Sequence, residues 1–193
     1  MIGYASFLFL SVTVGSASLY AAKRRNILKN ELRHDYYVPI SIVVPAHNES
    51  ITIEATINSL LALDYKLYEI VVVDDGSSDD TSQVVRDSFH MIQISRPIQR
   101  KLKCQPVEAI FETREYKVPI TLIRKKNGGK ADALNMGINA SRYPYFICMD
   151  ADSVLQRDSL KKIVRPVLED ERVVAVGGAV RPCNDAELVD GQV

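Results

Sequence analysis

The sequence has no excess of charge of either sign, few cysteines and no tryptophan. Its 193 residues include 24 lysines and arginines against 24 aspartates and glutamates, whereas a nucleic-acid-binding domain usually has a clustered basic excess. The hydrophobic share of 47% argues against a disordered chain. Three widely spaced cysteines fit neither a disulfide framework nor a CxxC metal site. We therefore expect an ordinary folded domain in a reducing compartment, with no nucleic acid as its partner.

Charged side chains are also absent from the first 22 residues. This stretch is rich in Leu, Val, Phe, Ala and Ser, and a helix of its length crosses the ~30 Å hydrocarbon core of a bilayer. A Lys-Arg-Arg cluster follows it directly, and such a basic flank normally stays in the cytoplasm. We predict a single-pass membrane anchor over residues 1–22, a basic linker over 23–37 and a cytoplasmic domain over 38–193. A cleaved signal peptide and a buried helix are the alternatives for the first segment.

Beyond the linker, short apolar runs alternate with segments of helical periodicity. Ile40–Val44 and Glu69–Asp74 suit strands buried on both faces, and between them Ile53 and Ile57 recur one helical turn apart. Such a βαβ unit predicts an α/β fold with a mostly parallel sheet and helices on both faces. The stretch His90–Lys117 has no clear apolar period and is predicted to be a long inserted loop. Further predicted elements are the strands Ile120–Arg124, Tyr145–Met149 and Val173–Gly177 and the helices Ala131–Ala140 and Ser159–Leu168.

Polar residues gather where three of the predicted strands end. In open α/β sheets, ligands bind beyond the carboxyl ends of the strands. Charges that serve only solubility would scatter over the surface, so the repeated placement at one edge predicts a binding site. No GxSxG, HExxH, Walker or GxGxxG pattern occurs in the chain. The three clusters are Pro45-Ala46-His47-Asn48-Glu49, the run from Asp74 to Thr81, and Asp150-Ala151-Asp152.

Asp150 and Asp152 follow an apolar strand with one residue between them. If the strand continued, both carboxylates would point the same way and repel each other, and a divalent cation would relieve that repulsion. Hard oxygen ligands favour Mg²⁺ or Mn²⁺, which complete their coordination with water and phosphate oxygens. Taken alone, an Asp-x-Asp is more simply explained as a strand stop and helix cap.

Two further turns offer groups that suit a nucleotide. Asp74 and Asp75 precede Gly76, where positive φ would form a turn, and Ser78 or Asp79 could cap the helix that follows. A carboxylate in this position also suits a base edge or a sugar hydroxyl. Lys130 follows two glycines at the predicted start of a helix, where anions are favoured. It is either an exposed lysine or a partner for a diphosphate.

Four motifs in a fixed order carry a family resemblance. They are VPAHNE at 44–49, VDDGSSDDT at 73–81, KNGGKADALN at 126–135 and MDADS at 149–153. As a set they resemble the family-2 inverting glycosyltransferases with the GT-A fold, especially the membrane-bound cellulose, chitin and poly-N-acetylglucosamine synthases. The resemblance extends over residues 38–182 and implies a Rossmann-like GT-A sheet.

The resemblance also implies a function and roles for individual residues. The chain would bind a nucleotide-sugar donor, most simply a UDP-sugar, and transfer the sugar with inversion to a glycan or lipid-linked acceptor. Pro45, Ala46 and Glu49 would line the nucleotide site. Asp75, with Asp74 beside it, would meet the uracil or ribose, and Lys130 would contact the diphosphate. Asp150 and Asp152 would bind Mg²⁺ or Mn²⁺, with Asp150 also near the donor.

The resemblance leaves the general base unassigned. Similar enzymes take it from a Glu-Asp motif and hold the acceptor near a Gln-x-x-Arg-Trp motif, both well after the Asp-x-Asp. Glu169-Asp170 comes too early, and there is no tryptophan. We therefore expect no catalytic base within this chain, which looks like the donor-binding half of an enzyme whose other half lies beyond Val193 or on a second polypeptide. An inactive nucleotide-sugar-binding module and a nucleotidyltransferase are the alternative functions.

Overall fold

The computed structural model describes Tyr20 and residues 37–113, 115–170 and 172–179. These residues form a mixed six-stranded sheet, made of β1 (Ile40–Ala46), β2 (Tyr68–Asp75), β3 (Ile92–Ile94), β4 (Val107–Glu112), β5 (Ile120–Lys125) and β6 (Tyr145–Cys148). Its strand order is β3-β4-β5-β2-β1-β6. The pairings of β1 with β2 and β6, and of β2 with β5, are parallel. β4 is antiparallel to both β3 and β5.

Within the described residues, helices cover both faces of the sheet. They are α1 (Ile53–Leu61), α2 (Thr81–Ser88), α3 (Lys130–Ala140) and α4 (Ser159–Glu169). Successive residues of a strand point to opposite faces. Accordingly Val72 packs in one cluster with residues of α1, α2 and α4, whereas Val71 and Val73 pack in a second cluster with Ala133 and Met136 of α3. The predicted α/β architecture with helices on both faces is confirmed.

The register of the central strands brings the predicted polar clusters to one edge. Ala46 at the end of β1 is level with Asp74 of β2, and Asp75 is level with Lys125 of β5. Every residue of β2 is buried, because this strand has neighbours on both sides and helices on both faces. The carboxyl ends of β1, β2 and β5 therefore form a rigid base for the loops that follow them.

Two predicted segments differ in the structure. His90–Lys117 is not a continuous loop, since it contains β3 and β4. β3 lies at the edge of the sheet and β4 beside it, and their several exposed residues weaken the apolar alternation on which strand prediction depends. Val173–Gly177 is not a strand in the described residues, and Val174 is 97% exposed. An apolar run becomes a strand only when it can pair with a neighbour, so β-propensity alone misleads here.

The predicted membrane anchor cannot be compared with the structure. Apart from Tyr20 and Tyr37, residues 1–22 and 23–37 lie outside the described residues, as does the chain from residue 180 onward. Among the residues that are described, none of the helices combines the length and the apolar character needed to cross a bilayer.

Candidate active site

A cleft of about 220 Å³ lies at the carboxyl ends of β1, β2 and β6 and beside the start of α3. It brings together all but one of the residues predicted to bind the donor or the metal. Asp74 is the exception, since it does not line the cleft. The lining residues are Pro45, Ala46, His47, Glu49, Asp75, Lys130, Ala133, Asp150, Ala151 and Asp152.

The turn after β1 is tied to the turn after β2. Asn48 adopts a φ of 58°, and its backbone N–H donates to Ser77 Oγ at 3.0 Å, while its side-chain oxygen accepts from Ser78 N at 2.9 Å. The Glu49 N–H donates to Thr81 Oγ1 at 2.8 Å. These bonds join segments about thirty residues apart in sequence, so Pro45, Ala46 and Glu49 are fixed relative to Asp75.

Asp74 has a structural role in the turn after β2. Its side chain is completely buried, and its Oδ1 accepts a hydrogen bond of 2.8 Å from the Ser77 N–H. That bond closes the turn in which Gly76 takes the predicted positive φ, here 66°. A Cβ at Gly76 would lie 2.8 Å from the backbone nitrogen of Asn127, so glycine also allows the two loops to approach each other.

Asp75 lines the cleft and is held by the loop before α3. Its Oδ1 accepts from the Gly128 N–H at 3.0 Å and its Oδ2 from the Gly129 N–H at 2.7 Å. Its backbone carbonyl accepts from the Asn127 side-chain amide at 2.9 Å. Oδ2 has no second partner among the described residues and keeps acceptor capacity for a ligand.

Lys125 and Asp132 are residues of this site that the sequence analysis did not identify. The Lys125 side chain is fully buried and its Nζ contacts a carboxylate oxygen of Asp75 and, at 2.6 Å, Oδ1 of Asp132. Burial lowers the pKa of Lys125, but hydrogen bonds to Asp132 and Asp75 outweigh that effect and raise the pKa above its ordinary value. Burial raises the pKa of Asp132, but the hydrogen bonds from Lys125 and Gln105 and the positive charge of Lys125 together outweigh burial and lower that pKa. The alternation of β5 could have revealed Lys125, because it lies two residues after Ile123 and therefore on the same, buried face.

Lys130 is the first residue of α3 and reaches across the cleft. Its Nζ lies 2.6 Å from Oδ1 of Asp150, and both side chains are more than half exposed. The hydrogen bond to Asp150 raises the pKa of Lys130. The cleft thus places a flexible cation against the first carboxylate of the Asp-x-Asp, a pair that solvent weakens and a bound ligand can rearrange.

The chain matches a known protein family over most of its length. The model of the family described as glycosyl transferase family 2 matches residues 41–103 and 105–189. The chain belongs to glycosyl transferase family 2. It is 29% identical over 189 residues to the poly-beta-1,6-N-acetyl-D-glucosamine synthase of Staphylococcus aureus strain COL, an alignment that covers 96% of this chain and 40% of the relative. The synthase of the same name from Staphylococcus epidermidis is 27% identical over the same span.

Solved structures support the GT-A fold of this family-2 chain. A mannosyltransferase from Pyrobaculum calidifontis, in complex with GDP-Man and Mn²⁺, is 26% identical with a TM-score of 0.52, over 68% of this chain and 32% of that one. TarS from S. aureus, residues 1–349 in complex with UDP-GlcNAc, is 22% identical with a TM-score of 0.50, over 75% of this chain and 37% of that one. The likeness to TarS concerns the fold alone. The chain spans about 40% of the length of the curated relatives it matches.

The carboxylates of the cleft suit a metal ion that takes its remaining ligands from a substrate. Within residues 37–113, 115–170 and 172–179, no group of three or more His, Cys, Asp or Glu side chains could hold a metal ion by itself. Asp150 and Asp152 nevertheless both line the cleft, and Mg²⁺ is commonly bound by one or two carboxylates together with water and substrate phosphates. The two carboxylates therefore fit Mg²⁺ or Mn²⁺ whose coordination is completed by a diphosphate. They do not fit a metal site made of protein ligands alone.

Proposed function

We propose that this chain is the donor-binding part of a membrane-anchored glycosyltransferase that uses a UDP-sugar and transfers the sugar to a glycan with inversion. One observation carries the proposal: three loops far apart in sequence place Asp75, Lys130, Asp150 and Asp152 around a single cleft. Membership of glycosyl transferase family 2 supports the reaction class.

Different residues of the cleft bind different parts of the donor. Pro45, Ala46 and Glu49 form the wall for the nucleoside, and the Oδ2 oxygen of Asp75 accepts a hydrogen bond from the base or the ribose. Lys130 leaves Asp150 and contacts the diphosphate, where a positive charge stabilises the negative charge that develops as the nucleoside diphosphate departs. Asp150 and Asp152 hold Mg²⁺ or Mn²⁺, which supplies Lewis-acid stabilisation of the same leaving group.

The named relatives support a particular sugar class. The curated relatives are synthases of poly-beta-1,6-N-acetyl-D-glucosamine, so we propose an N-acetylglucosamine donor and a growing polysaccharide as acceptor. An acceptor hydroxyl needs a general base, and we assign that base to the part of the relatives' length that this chain does not span. The anchor predicted over residues 1–22 would keep the reaction at a membrane surface.

Calorimetric titration of the full chain with UDP-GlcNAc tests the proposal. We expect binding that Mn²⁺ strengthens by at least about tenfold, a difference of ~1.4 kcal/mol, and we expect Asp152→Asn to abolish this strengthening. Asp87→Asn is the matched control, because Asp87 is an exposed aspartate of α2 outside the cleft. Metal-independent binding would refute the roles of Asp150 and Asp152, and preference for GDP-mannose would refute the UDP donor.

A further inference from the structure

The loop between β5 and α3 is anchored by a buried cation. Lys125 Nζ has no exposed surface and lies between the carboxylates of Asp75 and Asp132, and it also donates to the Lys126 carbonyl at 2.9 Å. A buried ammonium without partners is strongly unfavourable, and removing one member of such a group leaves an uncompensated charge. The three side chains, called here the Asp75–Lys125–Asp132 triad, therefore hold one another in a fixed arrangement.

The triad fixes two parts of the cleft at once. Asp75 accepts the Gly128 and Gly129 N–H groups, and Gly129 directly precedes Lys130, the first residue of α3. Asp132 lies in the first turn of the same helix and accepts the Gln105 N–H at 3.0 Å. The positions of the Asp75 carboxylate and of the residue bearing the Lys130 ammonium both depend on Lys125, although Lys125 does not line the cleft.

We propose that Lys125 and Asp132 are positioning residues for the donor: they hold Asp75 and the start of α3 so that a base or ribose and a diphosphate are bound together. This inference rests on the proposed function. Without Lys125, the two carboxylates that share its ammonium would repel each other. Asp75 would then leave the Gly128 and Gly129 amides, and the loop would lose its attachment to β2.

The first measurement needs no donor. Amide hydrogen exchange followed by NMR should show protected Gly128 and Gly129 N–H groups in the full wild-type chain, and at least about tenfold faster exchange in Lys125→Met, because each N–H loses a charged acceptor. Lys126→Met is the matched control. It removes the same charge from the adjacent, exposed residue, whose side chain has no ion pair among the described residues. Unchanged exchange in a folded Lys125→Met variant would overturn the inference.

The second measurement compares donor and metal affinities in the same variants. We expect Lys125→Met to weaken UDP-GlcNAc binding at least about tenfold, while the affinity for Mn²⁺ alone, followed by electron paramagnetic resonance, stays within about twofold. A purely structural defect would lower both affinities together and would overturn the inference, as would wild-type donor affinity. If Lys125→Met does not fold, Asp132→Asn replaces it, with the same pattern expected at a smaller size. Failure of the wild type itself to bind UDP-GlcNAc would refute the proposed function and this inference with it.

Discussion

At the scale of the residue, Asp79 shows how one exposed carboxylate joins the loops that form the cleft. Its Oδ1 accepts from the Thr81 N–H at 3.0 Å and its Oδ2 accepts from the Ser50 N–H at 3.1 Å. Burial opposes the charged form, but the hydrogen bonds from Thr81 and Ser50 together outweigh it and lower the pKa of Asp79 to about 2. Neither predicted cap, Ser78 or Asp79, occupies the N-cap position of α2, which is Asp80, although Asp79 accepts the hydrogen bond from the first N–H of the helix.

The lowered pKa predicts a specific pH dependence. A group whose pKa is lower in the folded state stabilises the fold above its unfolded pKa, here 3.8, and loses that contribution as the pH falls toward about 2. The difference in urea unfolding midpoint between wild type and Asp79→Asn should therefore be largest above pH 4 and shrink toward pH 2. Asp80→Asn is the matched control, because it removes the same charge from an adjacent carboxylate that accepts no hydrogen bond in the described residues. A constant Asp79→Asn difference would contradict the prediction.

The residues that line the cleft could be predicted from sequence, but the ion pairs beneath them could not. Asp75, Lys130, Asp150 and Asp152 follow strand ends, and parallel strands bring their ends together whatever the details of packing. Lys125 stands in the run Arg124-Lys125-Lys126, which has the composition of a solvated surface. Its burial depends on Asp75 and Asp132, fifty residues before it and seven after it, and sequence spacing does not reveal such a tertiary pairing.

At the scale of the element, α3 packs closely against β1 through a glycine. A Cβ built on Gly137 would overlap Cγ1 of Val43, closer than two non-bonded carbon atoms can approach. Glycine inside a helix costs ~1 kcal/mol relative to alanine, so its presence here is explained by the close approach. This contact holds the second half of α3 close to β1.

The effect of Gly137→Ala on the free energy of unfolding should therefore depend on which residue stands at position 43. In the wild-type background we expect a loss of about 1–3 kcal/mol in the free energy of unfolding, because overpacking outweighs helix propensity. In a Val43→Ala background, which removes the obstructing methyl groups, the same substitution should be neutral or stabilising. Chemical denaturation of the four proteins measures the coupling. Equal effects in both backgrounds would show that α3 does not approach β1 this closely.

The central strands could be predicted from sequence because they are buried on both faces, and the same burial makes them rigid. β1, β2 and β5 are nearly continuous apolar runs, and such runs occur in strands buried on both faces. The edge strand β3 and its neighbour β4 have exposed residues such as Ile92 and Val107 and antiparallel partners, so their sequence pattern is weak. Val173–Gly177 shows the opposite error, since it has the composition of a strand but pairs with nothing in the described residues.

At the scale of the whole molecule, the two ends of the parallel strands have different chemistry. The carboxyl ends carry the open cleft, while the amino ends carry a network of polar side chains around the buried Glu69. Glu69 Oε1 accepts from Ser41 Oγ and from the Arg142 N–H, each at 2.6 Å, and Glu112 forms ion pairs with Arg142 and Arg96. Asp75 lies six positions after Glu69 along β2, a rise that separates the network from the cleft by roughly 20 Å.

This separation predicts that stability and donor binding can be changed independently. Glu69→Gln removes the charge that both hydrogen bonds and the nearby Arg142 guanidinium stabilise, and we expect a loss of about 1–3 kcal/mol in the free energy of unfolding. A rigid strand would transmit no displacement to the loops at its far end. The affinity of the folded variant for UDP-GlcNAc should therefore remain within about twofold of wild type, where a tenfold change would correspond to ~1.4 kcal/mol.

Glu108→Gln provides the control for this prediction, since Glu108 pairs with Arg124 on the surface with both side chains about half exposed. An exposed pair contributes about 0–1 kcal/mol, so both stability and donor affinity should barely change. Denaturant unfolding and calorimetric titration on the same preparations separate the two quantities. If donor affinity fell with stability in Glu69→Gln alone, the amino end of the sheet would be energetically coupled to the cleft. The sheet would then respond as one deformable body rather than as a rigid base for the donor loops.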